Sequence, residues 1–441
     1  MKKTLILVFF LNFSCSPDFS EISFSDITFI ENSLKVIRII GGTKEDVVKK
    51  VLATDDGGFV IVGHTKSTDG DFENKNREGN DIFLTKLDSK GQIIWTNTYG
   101  GSDDDIGNDV IESSDGSFYI IGYSKSNDGD ASINKGQHDN WLLKTDSFGK
   151  LLWEKSYGFA GHDHAYNIIK TRDGGLFFNG FLDVTASEGQ GSTSRHGVGE
   201  FWCHKVNMNG DVVWRRYFGG SNNDRSYDSV ETQDGGFILV GTSESQDIEI
   251  SNSFGSYDIW VVRLSSSGEL IWEKSFGGSA IDEGIIIINN QDNSYTILGN
   301  TNSPKIDGFK TQGMNDFLLI KLDSSGGILS KVRHGSPQFD YAKDLKQTID
   351  GSYFVTGYSR NPLNSQGVNF ENNAVFLSQI QPNGIIQNTW KLNGSNEDLG
   401  SSISQLQNGS IIMVGTTESN DGDFNIKKLT GNDIFIAILN K

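Results

Sequence analysis

An all-β fold is predicted by three features of this 441-residue sequence. Glycine is abundant, with 52 residues, whereas proline is scarce, with 5, which is typical of sheets joined by turns. Short apolar segments recur along the chain between Gly, Asp and Asn residues, which is the pattern of buried strands. These segments belong to a unit that repeats at roughly 58-residue intervals, and such a period indicates a repeat architecture.

Each unit opens with a Gly-rich step, such as YGGSDDD or FGGSNND, and an aspartate follows shortly after the glycines. The units begin at about residues 41, 100, 158, 219, 277, 335 and 393. The recurring aspartates are Asp46, Asp105, Asp163, Asp224, Asp282, Asp340 and Asp398. Because a catalytic group seldom occurs in every repeat, we expect these carboxylates to accept hydrogen bonds from backbone N–H groups of the loops.

Four strand patterns follow one another in each unit. A mixed strand leads through a DG, DN or NG pair, typical of a tight two-residue hairpin, into an apolar strand such as FVIVG. A long polar loop precedes the third strand, and a short turn precedes the fourth. A column of tryptophans on the fourth strand (Trp95, Trp153, Trp214 and Trp272) indicates packing. Four antiparallel strands in seven units predict a seven-bladed β-propeller. A linear solenoid is less consistent, because it needs polar capping repeats that neither end shows.

The last unit supplies only three strand patterns, ending in GNDIFIAILNK at residues 431–441. Residues 34–40, LKVIRII, precede the first Gly-rich step as a fourth strand would. We therefore expect residues 34–40 to pair with the third strand of the last blade. An unpaired edge would expose its backbone groups, and about five ladder hydrogen bonds at roughly 1 kcal/mol each depend on the pairing.

The N-terminus combines Lys2 and Lys3 with a short apolar run, which is the pattern of a signal peptide. Cys15 directly follows this run, and the arrangement resembles the lipobox of bacterial lipoproteins. The resemblance implies a signal peptide at 1–14, an acylated Cys15 and a tether at 15–33. A plain secretory leader is the alternative. Ser16 is not the aspartate that retains many lipoproteins at the inner membrane, which implies an outer-membrane address, on either its periplasmic or its outer side.

The phrases YGGSDDDIGNDVIESSDGSFYIIGYS and GNDIFLTKLDSKGQIIWTNTYGG resemble the repeats of seven-bladed β-propellers found in secreted and lipid-anchored proteins of Gram-negative bacteria. The resemblance covers residues 34–441. It implies a propeller fold, and related sequences carry lectin-like or endoglucanase-like labels. No enzymatic motif of that group can be transferred to positions in this chain.

The connections divide between the two sides of the predicted ring. The long-loop face carries the Gly-rich steps and the loops between second and third strands, whereas the short-turn face carries the hairpins. Long, variable loops are the usual place for binding residues. Three long loops contain a DGD sequence, which could hold calcium as the one cofactor that the sequence suggests. The candidate ligands are Asp69, Asp71, Asp128, Asp130, Asp421 and Asp423. The alternative is that these acids only stabilise turns.

Blade 3 provides a second candidate ligand-binding site on the long-loop face. His162 and His164 lie in its Gly-rich step, and Arg195 and His196 lie in its longest loop. His138 belongs to the preceding loop of blade 2 and should lie nearby. Imidazole and guanidinium groups in this combination suit a transition metal or an anion.

The formal net charge of −19 disfavours nucleic acid as a partner. The first functional hypothesis is a monomeric, non-enzymatic envelope propeller that binds a glycan or a protein through its long-loop face. The second is a glycan-cleaving hydrolase that uses paired carboxylates. The third is a structural component of an envelope assembly. No G-x-S-x-G or H-E-x-x-H motif occurs, which favours binding over hydrolysis.

Overall fold

The computed structural model describes residues 34–184, 197–306, 309–310, 313–360, 372–427 and 431–440. The predicted leader and tether, residues 1–33, lie outside the described part of the chain. Within it, thirty strands and two short 3-10 helices, Gly70–Phe72 and Gly422–Phe424, make up the secondary structure. No helix among the described residues has the length and apolar character to cross a membrane.

Seven antiparallel sheets of four strands form the blades, which confirms the predicted fold class. Blade 1 contains β2 (Asp46–Ala53), β3 (Phe59–Thr65), β4 (Asp81–Leu87) and β5 (Ile93–Tyr99). Blade 2 contains β6 (Asp105–Glu112), β7 (Phe118–Ser124), β8 (Asp139–Thr145) and β9 (Leu151–Tyr157). Blade 3 contains β10 (His164–Lys170), β11 (Leu176–Asp183), β12 (Gly199–Val206) and β13 (Val212–Phe218). Blade 4 contains β14 (Asp224–Glu231), β15 (Phe237–Ser243), β16 (Asp258–Leu264) and β17 (Leu270–Phe276).

The remaining blades follow the same order. Blade 5 contains β18 (Asp282–Asn289), β19 (Tyr295–Thr301), β22 (Asp316–Leu322) and β23 (Ile328–His334), and a small hairpin of β20 (Lys305–Ile306) and β21 (Phe309–Lys310) is inserted in it. Blade 6 contains β24 (Asp340–Gln347), β25 (Tyr353–Arg360), β26 (Asn373–Ile380) and β27 (Ile386–Leu392). Blade 7 contains β28 (Asp398–Gln405), β29 (Ile411–Thr417) and β30 (Asp433–Leu439), and β1 (Leu34–Ile40) completes it.

The ring is closed by β1, as the sequence predicted. β1 pairs with β30 in antiparallel register, from Leu34 opposite Leu439 to Ile40 opposite Ile434, with one bulge at residue 37. Ile40 is fully buried in a cluster that blade 7 shares with blade 1. The first and last described strands therefore form one blade.

The first strands of the blades surround the central axis, because each contacts the first strand of both neighbouring blades. Every first strand also contains one residue without a partner on the second strand, at the same position of the repeat. These bulge residues are Lys49, Asn108, Tyr166, Tyr227, Ile285, Lys343 and Ser401. A bulge changes the direction in which a side chain points. Each blade therefore has one residue near the central axis that is not paired with the second strand.

Hydrogen bonds between first strands hold alternate pairs of blades together. Asp109 Oδ2 accepts the N–H of Ile168, 3.0 Å away in blade 3. The corresponding carboxylates of blades 4 and 6 do the same toward blades 5 and 7 (Asp228 to Ile287 and Asp344 to Ile403). Apolar clusters fill the spaces between blades, and the tryptophans predicted to pack contribute to them; Trp95, for example, meets Phe118 of blade 2 edge-on, with ring centroids 6.1 Å apart.

The hairpins on the short-turn face are longer than the predicted two-residue turns. In blade 1 residues 54–58 connect β2 to β3, and Asp56 Oδ1 accepts hydrogen bonds from the Thr54 hydroxyl and the Gly58 N–H. Only the second residue of the DG pair, Gly57, has a positive φ, of 85°. The aspartate side chain thus replaces part of the backbone bonding that a two-residue turn would use.

Replacing Ile40 with alanine tests the closure of the ring. We expect the free energy of unfolding in urea to fall by about 2–5 kcal/mol, because the substitution leaves a cavity between blades 7 and 1. Lys35 on the same strand is exposed, so Lys35→Ala should change it by less than about 0.5 kcal/mol. Equal effects of the two substitutions would contradict a structural role for β1.

Candidate functional site

The seven recurring aspartates are part of the scaffold, which confirms their predicted role. Asp46 Oδ2 accepts the N–H of Gly42 at 2.8 Å and the Ser67 hydroxyl at 2.9 Å. The other six each accept an N–H from their own Gly-rich step at 2.6–2.8 Å. All seven carboxylates are fully buried.

The DGD loops turn back onto the Gly-rich step of the same blade. In blade 1, Asp69 Oδ1 accepts the N–H of Thr43 at 2.8 Å, and Asp71 Oδ2 accepts the N–H of Gly41 at 3.0 Å. We call this arrangement an acid clamp: two acids flank a residue of positive φ and bind the step. Asp128 and Asp130 form the clamp of blade 2, and Asp421 and Asp423 form that of blade 7. Calcium binding at these loops stays a prediction.

A fourth acid clamp was missed by the sequence analysis because its central residue is not glycine. In blade 4, Asp247 Oδ1 accepts the N–H of Ser221 and Glu249 Oε2 accepts the N–H of Gly219, both at 2.8 Å. Ile248 between them has a φ of 61°, close to the 62° of Gly70 in blade 1. The sequence does contain the two acids, Asp247 and Glu249, separated by one residue. A β-branched residue such as Ile248 rarely adopts a positive φ, however, so the pattern did not indicate a clamp.

Three of the predicted ligand residues come together at the junction of blades 2 and 3. His138 immediately precedes β8, and His162 and His164 lie at the start of blade 3. His138 and His162 are held side by side by an isolated parallel β-bridge. The Nδ1 atom of His138 lies 2.8 Å from Nδ1 of His162 and 3.1 Å from Nε2 of His164. One nitrogen from each ring lies within 4.8 Å of the others, and we call these residues the histidine cluster.

Neighbouring aromatic groups fix the third ring of the histidine cluster. Tyr123 of β7 stacks on His164, with centroids 4.0 Å apart and planes 15° from parallel. The Tyr166 hydroxyl lies 3.3 Å from Nδ1 of His164, so Nε2 is the nitrogen that faces His138. Burial, and then the neighbouring His138 and His162, lower the pKa of His164 to about 3. Burial also lowers the pKa of His138.

The remaining two ligand candidates are not tested by the structure. Arg195 and His196 fall in residues 185–196, outside the described part of the chain. They follow β11 of blade 3, whose first strand carries His164. The prediction that they belong to the same site stays a prediction.

Six half-buried aromatic residues form a second feature on the long-loop face, which we call the aromatic arc. They are Tyr123, Tyr166, Tyr227, Phe339, Tyr341 and Tyr358. The Tyr166 and Tyr227 rings, from the bulges of blades 3 and 4, lie 5.4 Å apart. In blade 6 the Tyr341 and Tyr358 rings stack at 5.5 Å with planes 12° apart. Five of them lie near the end of their strand that meets the long loops, and Phe339 immediately precedes β24. The arc therefore borders the long-loop end of the space around the central axis, which we call the mouth of the channel.

Charged groups accompany the aromatic arc. The Tyr341 hydroxyl donates to Oε2 of Glu283 at 2.8 Å, which links blades 5 and 6. Arg360 lies over Phe339, with its guanidinium carbon 5.9 Å from the ring centroid. Arg225 of blade 4 is exposed beside Tyr227. The mouth therefore presents flat apolar faces together with hydrogen-bonding groups of both signs.

Deeper in the channel, one cation lies among three carboxylates. Lys50 Nζ of blade 1 lies 3.4 Å from the carboxylate of Asp344 in blade 6. Burial lowers the pKa of Lys50, but attraction to Asp344, Asp109 and Asp228 outweighs this effect and raises the pKa above its ordinary value. Burial raises the pKa of Asp228 to about 7 despite Lys50. These groups also bind the inner strands together, which makes them structural.

No protein-family model matches this chain, and no curated protein matches it. Solved structures similar to it include Sqt1 from Chaetomium thermophilum, at 9% identity and a TM-score of 0.45, covering 91% of this chain and 98% of that one. The Pan2 WD40 domain of Neurospora crassa is 8% identical, with a TM-score of 0.35 and coverage of 76% and 89%. A DUF4221 family member from Bacteroides vulgatus is 11% identical, with a TM-score of 0.37 and coverage of 82% and 98%. Similarities at this level of sequence identity and TM-score give no basis for inferring function.

Replacing Ile248 with glycine should stabilise the protein. Relief of the left-handed conformation is worth about 1–2 kcal/mol, and the Ile248 side chain, at 58% exposure, contributes little packing. Urea unfolding should show a net gain of about 1 kcal/mol. Ile133 is similarly exposed, at 56%, but has no positive φ, so Ile133→Gly should instead cost roughly 0.5–1 kcal/mol. A lower free energy of unfolding for Ile248→Gly would contradict the assignment of backbone strain to Ile248.

The buried aspartates predict an unusual dependence of stability on pH. Burial raises the pKa of Asp46 and of Asp398 from 3.8 to about 6. The folded state therefore binds these protons more tightly than the unfolded chain does. Their stabilising contribution is complete below pH 3.8 and is lost as the pH rises through about 6.

We expect the free energy of unfolding to be lower at pH 8 than at pH 5, by about 1.4 kcal/mol for each such carboxyl group, because most of these groups are still protonated in the folded protein at pH 5. Asp398→Asn should reduce this difference, whereas the substitution Asp55→Asn, at an exposed carboxyl group, should leave it unchanged. Urea titrations at both pH values measure it. Greater stability at pH 8 would contradict the assigned shifts.

Proposed function

We propose that this chain is a lipid-anchored propeller of the bacterial outer membrane that binds a glycan, without catalysis, through its long-loop face. Acylation of Cys15 and a tether at 15–33 would hold the ring away from the lipid. The basis for the anchor is the apolar run and cysteine of the leader. The proposal for the ligand rests on the aromatic arc.

The position of the aromatic arc supports binding at the channel mouth. Its members come from blades 2, 3, 4 and 6, and they are half-buried, so each retains a face or an edge open to solvent. Aromatic residues that line a concave surface and lie beside a few polar groups are the usual composition of a ligand site. The arc is not a feature of the repeat, because the position of Tyr166 and Tyr227 is Lys49 in blade 1 and Ser401 in blade 7.

The chemistry of the aromatic arc favours a glycan over a protein. Sugar rings have C–H faces that pack on aromatic rings, and hydroxyl groups that pair with carboxylates and guanidinium groups. Tyr341 and Tyr358 provide a stacked platform, and Glu283, Arg225 and Arg360 lie at the same mouth. A neutral glycan also avoids the repulsion that a chain of net charge −19 exerts on anions.

The hydrolase alternative needs two carboxylates placed for acid and base catalysis. The buried carboxylates at the blade junctions are engaged in holding the Gly-rich steps, and they recur around the ring. Glu283 is the carboxylate that contacts the aromatic arc, and it already accepts the Tyr341 hydroxyl. The experiment below therefore also tests whether Glu283 has a catalytic role.

Binding to an oligosaccharide array, followed by calorimetry with the strongest ligand, tests the proposed function. Tyr227→Ala and Tyr341→Ala in the full chain should each weaken binding at least about tenfold, or 1.4 kcal/mol, because each removes a stacking surface. Phe148→Ala is the matched control, since Phe148 is 75% exposed in a hairpin of the short-turn face. Cys15→Ser should release the chain from the membrane fraction and leave the affinity unchanged.

Three results would overturn parts of this proposal. Failure to bind any glycan would exclude the ligand class. Loss of affinity with Phe148→Ala but not with Tyr341→Ala would move the site to the short-turn face. Release of reducing sugar that Glu283→Gln abolishes would identify a hydrolase.

A further inference from the structure

The histidine cluster has a geometry that hydrogen bonding alone does not explain. An imidazole nitrogen has one in-plane direction, used either by a proton or by a lone pair. The Nδ1 atom of His138 nevertheless lies within hydrogen-bonding distance of a nitrogen of both His162 and His164, at 2.8 and 3.1 Å. It can satisfy only one of them at a time. A single cation facing all three lone pairs would satisfy them together.

We propose that His138, His162 and His164 bind one transition-metal ion of the zinc class at the junction of blades 2 and 3. This site goes beyond the proposed glycan binding and does not depend on it. The three nitrogens would serve as ligands, and the fourth position would remain open to water or a further ligand.

The spacing of the nitrogens suits such an ion. Zinc–nitrogen bonds of about 2.05 Å at tetrahedral angles place ligand nitrogens about 3.3 Å apart. The two separations from His138, 2.8 and 3.1 Å, are slightly shorter than this value, and all three nitrogens lie within 4.8 Å of one another, so a shift of the rings would bring them to this spacing. All three residues are half-buried, so the site is both shielded and reachable from the long-loop face.

The neighbours of the cluster provide the support that ligand histidines usually have. The Tyr166 hydroxyl contacts Nδ1 of His164 at 3.3 Å, which leaves Nε2 free to face the metal. Tyr123 stacks on the same ring and restricts its rotation. The parallel bridge between His138 and His162 fixes the backbone of both residues.

The repeat itself provides an internal comparison. The same parallel bridge at other junctions joins Gly199 to Asn223, Tyr257 to Ile281, and Asn315 to Phe339. The position equivalent to His164 is Arg225, Glu283 or Tyr341 in the blades that follow. The bridge therefore forms without histidine, so the scaffold does not require these three residues.

The ligand set also selects the kind of metal. Three neutral imidazoles suit zinc, copper, nickel or cobalt, whereas calcium and magnesium prefer oxygen ligands. The Asp163 carboxylate between His162 and His164 is engaged by the N–H of Phe159 at 2.7 Å. The histidine cluster is thus distinct in chemistry from the acid clamps, where calcium is predicted.

Metal binding to the full chain, purified without a polyhistidine tag and stripped with chelator, tests this site. We expect one zinc ion per chain, with a Kd of about 1 µM or lower, by calorimetry. Cobalt should give the visible absorption bands of a four-coordinate site, and excess calcium should not displace it. His162→Ala should weaken zinc binding by about 100-fold and abolish the cobalt spectrum.

His64→Ala is the matched control, because His64 is a half-buried histidine of blade 1 outside the cluster, and it should leave both readouts unchanged. Thermal unfolding without metal confirms that both variants fold. A wild-type chain that binds no zinc, or that keeps its cobalt spectrum in His162→Ala, would overturn the site. Glycan binding by the chelator-stripped chain would be unaffected by that result, so the two proposals fail separately.

Discussion

The ring depends on the pairing of β1 with β30. This ladder joins the first and last described strands, and it covers the edge of β30 that a three-stranded blade 7 would leave unpaired. Ile40 and its neighbours then complete the apolar cluster between blades 7 and 1. Once the circle is closed, the first strands face one axis, and the described parts of the long loops lie on one side. Both candidate sites follow from that placement, since neither can be assembled from a single blade.

Within the closed ring, two sets of carboxylates stabilise the blades in different ways. The aspartates near the Gly-rich steps bind loop N–H groups within a blade, whereas Asp109, Asp228 and Asp344 bind the next blade. Both kinds are buried, and a buried unpaired acceptor would cost more than an exposed one. The net charge of −19 thus includes many acids with a structural partner, and acidity alone is a poor guide to a cation site in this chain.

The fold was predictable because its signals repeat. Strand patterns, Gly-rich steps and aspartates recur seven times, and β1 was recognisable by matching the segment missing from blade 7. The sequence predicted that these histidines lie near one another, but not that their ring nitrogens meet. His138 and His162 are 24 positions apart, and the bridge that joins them is a contact between two blades. The aromatic arc was missed because its members come from four blades and occupy positions that vary between repeats. Ile248 was missed because a β-branched residue stands where other clamps have glycine.

The junction of blades 2 and 3 carries the histidine cluster and still forms the hydrogen bonds that the other blade junctions form. Asp163 remains fully buried and still accepts an N–H from its step, although Phe159 stands there in place of the second glycine found in blades 1, 2, 4 and 5. The N–H of Asp163 still donates to the carbonyl of His138, as Asp282 does to Tyr257 and Asp340 to Asn315. The histidine side chains are a feature of this junction, because the equivalent bridges use other residues. Because the structural bonds are intact, the three histidines are not needed to hold this junction together, and the proposed zinc site accounts for their presence.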